Sequence, residues 1–99
     1  MIDGYLLNMR VFNKVNDDKH QALKPLEEAA EIFGAWQARD NMRFVSRDAC
    51  GAFRRGLIDE CVDTVQAAAN MLAAVGATQG EVDAAIKRMD ERNGDRGRL

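Results

Sequence analysis

Proline occurs once in this chain of 99 residues, histidine once and cysteine twice, and no β-branched run interrupts it. Each scarcity excludes something. With so few sheet-forming stretches, and with abundant alanine and methionine, the composition favours helices over a sheet. The single histidine, His20, has no evident serine or cysteine nucleophile as partner, so triad chemistry has no support. Cys50 and Cys61 have no histidine at metal-ligand spacing and, eleven residues apart on a helical stretch, are poorly placed to bridge. They read as small buried hydrophobes in a reducing compartment. No apolar run reaches the roughly 18 residues of a membrane span. A net charge of −2 offers no general attraction to nucleic acid. The start, Met1-Ile2-Asp3-Gly4-Tyr5, lacks a secretory layout, so a cytoplasmic protein with neither membrane nor nucleic-acid partner is expected.

Two short acidic clusters are the main positive feature: Glu27-Glu28-Ala29-Ala30-Glu31 and Glu60-Cys61-Val62-Asp63. Both lie in stretches with helical apolar spacing, and each places carboxylates three residues apart, side by side on one helical surface. At about 100° per residue, Leu26, Ala29, Ala30, Phe33 and Trp36 gather on one side of the first helix. Glu27, Glu28 and Glu31 fall on the other, followed by Gly34, Ala35 and Ala38. A solvated face is normally polar throughout; acids continued by small residues suit close approach of another helix. In the second helix Ile58, Cys61, Val62, Val65, Ala69 and Leu72 form an apolar stripe, and Glu60 stands above Ala67, Met71 and Ala74. Asp63 borders a polar strip of Asp59, Gln66 and Asn70. Apolar on two sides, this helix is expected to be central.

One Glu-Glu-x-x-Glu run is ordinary on a helix surface, because glutamate is a good helix former. Two such clusters with small-residue surroundings are less ordinary. Facing carboxylates raise one another's pKa or require a cation. Hard oxygen donors select Mg²⁺, Mn²⁺ or Ca²⁺, and Mg²⁺ commonly completes its shell with water and substrate phosphate. The pattern therefore points to a magnesium site acting on a phosphorylated ligand.

Around these clusters the chain reads in order. Tyr5, Met9 and Phe12 share one side of a helix expected over residues 3–16, packed in the core or lining a base pocket. Asn16-Asp17-Asp18 reads as a break and a cap. Pro25 fits a first turn, which predicts a start near Lys24 or an earlier start kinked at Pro25. Arg39-Asp40-Asn41 marks a loop. From Ser46 a helix either continues into the Leu57 helix or kinks at Gly56, and Arg54 and Arg55 either screen the acids or face water. Val75-Gly76 closes the central helix. Thr78-Gln79-Gly80-Glu81 is a capping box for a last helix with Val82, Ala85, Ile86 and Met89 inward, stopped at Asn93-Gly94. Its end is basic, with Lys87, Arg88, Arg92, Arg96 and Arg98.

Glu27-Glu28-x-x-Glu31, a gap of 28 residues and Glu60-x-x-Asp63 together resemble the signature of the MazG-like nucleotide pyrophosphohydrolases, of the all-α nucleoside triphosphate pyrophosphatase superfamily. Asp63 to Leu72, then Val75-Gly76, resembles the family's long helix ending in glycine. Arg92-Asn93-Gly94-Asp95-Arg96-Gly97 resembles its closing Lys-Asn-x-x-Arg-Gly pattern, with Arg92 where lysine is usual. The likeness covers roughly residues 20 to 98. It implies one MazG-like domain over residues 1–99, with a motif core at 20–76 and a last helix and basic tail at 78–99. The implied fold is an all-α, four- to five-helix bundle completed by oligomerisation, as a homodimer or homotetramer. The implied reaction is hydrolysis of a nucleoside triphosphate to the monophosphate and pyrophosphate with Mg²⁺, or Mn²⁺ in its place. The motif implies metal ligation; the i,i+3 pairs then assign Glu28, Glu31, Glu60 and Asp63 as ligands, with Glu27 outside them or as the base orienting water. The likeness points to Arg92, Asn93 and Arg96 as phosphate contacts. Lys24 either joins them or pairs with Glu28. Phosphoribosyl-ATP pyrophosphatase, a rival of the same fold, typically shows Tyr-His where this chain has Thr64-Val65-Gln66. A non-catalytic helical bundle binding a nucleotide or a protein is the rival from another class.

Overall fold

The computed structural model describes residues 2–99, and every regular element among them is an α-helix. α1 spans Lys19–Met42, α2 Arg47–Ala74 and α3 Gln79–Asp95. The all-α expectation holds, but with three helices where four or five were expected.

The helix expected over residues 3–16 is absent; residues 2–18 form an irregular strap. Gly4, Asn8 and Asn13 interrupt the stretch, and a short helix of this composition is marginal without a packed face. Side chains of α2 satisfy its backbone instead. Gln66 Nε2 donates to the Arg10 carbonyl at 2.7 Å, and the Phe12 N–H donates to Asn70 Oδ1 at 3.0 Å. Tyr5, Leu6 and Phe12 stay exposed rather than entering a core.

α1 begins at Lys19, where the Asp18 carboxylate accepts the Gln21 N–H at 2.8 Å. Pro25 therefore lies inside the helix, as in the earlier-start alternative. The helix also runs through Arg39, Asp40 and Asn41, where a loop was expected. Good helix formers at Gln37, Ala38 and Arg39 carry it on, and the Arg43 N–H closes it on the Asp40 carbonyl at 3.1 Å. α2 opens at Ser46, whose hydroxyl accepts the Ala49 N–H at 3.2 Å. It continues through Gly51 and Gly56, so the two pieces considered for this stretch are one helix. Gly76 ends it with φ 71, and the Ala77 N–H reaches back to the Leu72 carbonyl at 3.0 Å, a left-handed glycine closure. The Thr78–Glu81 capping box is present at the start of α3. That helix passes Asn93-Gly94 and ends at Asp95, with the left-handed turn at Gly97.

The short link between α1 and α2 makes them an antiparallel hairpin; α3 packs against neither. The face turned inward is the acidic, small-residue one. Lys24, Glu28, Ile32, Ala35 and Ala38 of α1 meet Gly56, Glu60, Thr64, Ala67, Met71 and Ala74 of α2, all partly or fully covered. Only Ala67 and Asn70 are buried among the described residues. The stripes expected to make the core point outward. On α1, Leu26 is 67% and Phe33 60% exposed, and the Phe33 ring stacks on Trp36 at 6.1 Å between centroids. On α2, Ile58, Val62, Val65 and Leu72 are exposed. Complete burial of any one of these aliphatic or phenyl side chains contributes about 1.5–3 kcal/mol; one buried alanine cannot substitute for them. The radius of gyration is 16.3 Å, against about 13 Å for a compact domain of this size.

Candidate functional site

Four carboxylates meet where α1 crosses α2. One oxygen from each of Glu28, Glu60 and Asp63 can be chosen so that all three lie within 4.8 Å of one another. Glu31, one turn beyond Glu28, lies close enough to raise the pKa values of both Glu28 and Glu60. The helical period dictates this arrangement. Residues three apart share a face, so each helix delivers an adjacent pair, and the small neighbours Ala35, Ala38, Ala67 and Ala74 let the backbones approach.

The electrostatics follow from the crowding. The Glu28 carboxyl is held above its ordinary range first by desolvation, then by the charge and hydrogen bond of Glu31 and the charge of Asp63, with Lys24 opposing. The Glu60 carboxyl is raised first by its hydrogen bond to Glu31, then by desolvation and by the charges of Glu31, Asp63 and Glu28. Glu60 Oε2 is shielded from solvent and has no hydrogen-bond partner among the described residues. A shielded carboxylate oxygen among like charges is satisfied either by a proton or by a cation. An all-oxygen donor set of this kind is of the type that suits a hard divalent ion.

Glu27 is not part of the cluster. It is exposed and its carboxylate pairs with Lys24 Nζ at 3.2 Å, so Lys24 makes its ion pair with Glu27 rather than with Glu28. Arg92, Asn93 and Arg96 lie on or just after α3, and no packing of that helix brings them to the carboxylates within the chain. Arg54 lines a separate hollow at the α1–α2 turn with Arg39, Arg43 and Arg47, away from the acids. Cys50 and Cys61 are free thiols, as expected, but half-buried and exposed rather than buried.

Beside the carboxylates is a cleft of about 420 Å³, lined by Glu28, Asp63 and Lys24, by His20, Gln66 and Asn70, and by Phe12 and Lys14 of the strap. That is within the size range of small-ligand sites. Lys14, His20, Gln66 and Asn70 were not singled out by motif. The available signal was the polar strip of Gln66 and Asn70 bordering Asp63, which is odd on a helix expected to be central. Lys14 carried no signal, because only the strap's course puts it there. Among the described residues no helix is long and apolar enough to cross a membrane. No family model, curated protein or solved structure matches this chain.

Proposed function

We propose that the protein is a divalent-metal-dependent nucleotide pyrophosphohydrolase that uses water to convert a nucleoside triphosphate to the monophosphate and pyrophosphate. The supporting observation is the convergence of Glu28, Glu60 and Asp63 oxygens from two helices, with Glu31 alongside. These four residues hold Mg²⁺ or Mn²⁺ in this reading. The ion, when bound, polarises phosphoryl oxygens and acidifies a coordinated water. The chain's own residues do the rest. Lys24 and Lys14 line the cleft and offset phosphate charge. Glu27, exposed and paired with Lys24 outside the carboxylate cluster, is assigned as an outer group or as the base that orients the attacking water. Charge developing on departing pyrophosphate is the main barrier, so fixed cations contribute most there.

One subunit leaves the bundle unfinished. The outward stripes of α1 and α2 and the unpacked α3 support a homodimer or homotetramer in which a second copy covers them. Arg92, Asn93 and Arg96 then reach the phosphates when α3 docks across a subunit contact. A nucleotide substrate suits a cytoplasmic setting.

The test is pyrophosphate release from each common NTP and dNTP with Mg²⁺, alongside phosphoribosyl-ATP. Glu28→Gln and Asp63→Asn are expected to lose about a hundredfold or more in kcat with unchanged circular dichroism. Turnover of phosphoribosyl-ATP alone reassigns the substrate. Metal-dependent nucleotide binding without turnover makes the protein a nucleotide-binding bundle, and neither turnover nor binding removes the proposal.

A further inference from the structure

The cleft beside the carboxylates has two walls of different origin. α1 and α2 supply Lys24, Glu28 and Asp63; the N-terminal strap supplies Phe12 and Lys14. The strap has no helix of its own, and its place is specified by side chains of α2. Asn70 Oδ1 accepts the Phe12 N–H and Gln66 Nε2, both at 3.0 Å, and Gln66 Nε2 also donates to the Arg10 carbonyl at 2.7 Å. Asn70 is 2% exposed, the least exposed of the described residues. Burying an amide is costly unless its polar atoms are bonded, and an apolar residue would fill the same space without that cost. The amide instead holds a backbone position, two residues from Lys14. Lys14 faces the cleft and makes no ion pair among the described residues. Phe12 keeps much of its ring accessible in the same cleft.

We infer that the strap is the wall that reads the ligand: Lys14 binds nucleotide phosphate, Phe12 offers its ring to the base, and Asn70 with Gln66 are positioning residues that hold both there. This rests on the metal-dependent nucleotide reading above. An ammonium on a phosphate oxygen is a charge-assisted contact, and an aromatic face accepts any base. Part of the nucleotide's grip then lies in a segment without regular structure, fixed by one buried amide.

Binding of α,β-methylene analogues of ATP, GTP, CTP and UTP with Mg²⁺ or Mn²⁺, followed by calorimetry, tests this. Lys14→Ala is expected to raise the Kd of the analogues about tenfold, and Lys14→Arg to recover most of the loss. Asn70→Leu is expected to match the Lys14→Ala loss and to speed hydrogen exchange at the Phe12 amide. In the double variant the Lys14 change then adds little further loss, because the lysine is already displaced. Wild-type affinity in Lys14→Ala, or independent multiplying losses in the double variant, overturns the strap assignment while leaving the carboxylate site standing. If the unaltered protein binds none of the four analogues with either metal, the metal-dependent reading fails and the strap assignment fails with it.

Discussion

The two long faces of the α1–α2 hairpin differ in chemistry and in what they can contribute. Where the helices meet, Glu28, Glu31, Glu60 and Asp63 sit among alanines and one buried asparagine. On the opposite face, Leu26, Phe33, Trp36, Ile58, Val62 and Leu72 are exposed. A face made of like charges and small side chains buries little apolar area and holds its acids at a cost. A face made of large apolar side chains stabilises only when something covers it. The lesson is that contact and core need not coincide. The inner face gathers like charges among small side chains, and the outer face leaves large apolar side chains uncovered.

The largest effect that would break this comparison is expected at Glu60. Glu60→Gln should reduce pyrophosphate release by about a hundredfold or more, yet leave the melting temperature of the metal-free protein unchanged or higher at neutral pH, because one of four crowded charges is gone. A clear drop in metal-free stability would mean that the inner face is a structural interface. Next in size is the outer face. Phe33→Glu or Val62→Glu should weaken self-association at least tenfold by sedimentation and lower the melting temperature, since burial of each such side chain is worth about 1.5–3 kcal/mol and a two-fold interface counts it twice. Unchanged assembly would return that face to solvent.

The pH dependence sharpens the same contrast. Glu28 and Glu60 carry raised pKa values in the folded chain. The folded state therefore binds protons more tightly than the unfolded one, and their contribution to stability falls as pH climbs from the ordinary carboxylate range through the raised values. Metal-free protein is expected to melt higher at mildly acidic pH than at neutral pH, by these groups alone, and saturating Mg²⁺ should narrow the difference. Glu81 has the opposite sign. Its pKa is lowered by the Thr78 backbone N–H, so its contribution is full above the ordinary range and is lost as pH falls through the lowered value. The smallest expected effect is at that cap: Thr78→Ala should cost about 1 kcal/mol of α3 helix stability. The loss should be visible as a slight fall in helicity without loss of metal binding at the carboxylates.

Much of the carboxylate cluster was legible because it depends on short spacing. Glu28 with Glu31, and Glu60 with Asp63, are neighbours in any helix, and the small residues beside them correctly marked a close approach. Ser46, Gly76 and the Thr78–Glu81 box act within one turn and were readable for the same reason. The i,i+3 pairing already set Glu27 apart from Glu28 and Glu31; the structure adds its ion pair with Lys24. The strap was misread because Tyr5, Met9 and Phe12 have helical spacing, and spacing is silent about a backbone N–H that finds Asn70 instead.

By itself, then, the order of residues determined the helical class, the caps and the pairing of acids on each helix, since each depends on interactions within about one turn. Tertiary structure decided that the acidic faces meet, that the apolar stripes of α1 and α2 point outward, that the strap forms one wall of the cleft and that α3 stands apart. Those outcomes depend on contact free energies between segments far apart in the chain. An apolar stripe states that a helix has a face to bury, but not whether the surface that buries it belongs to the same chain.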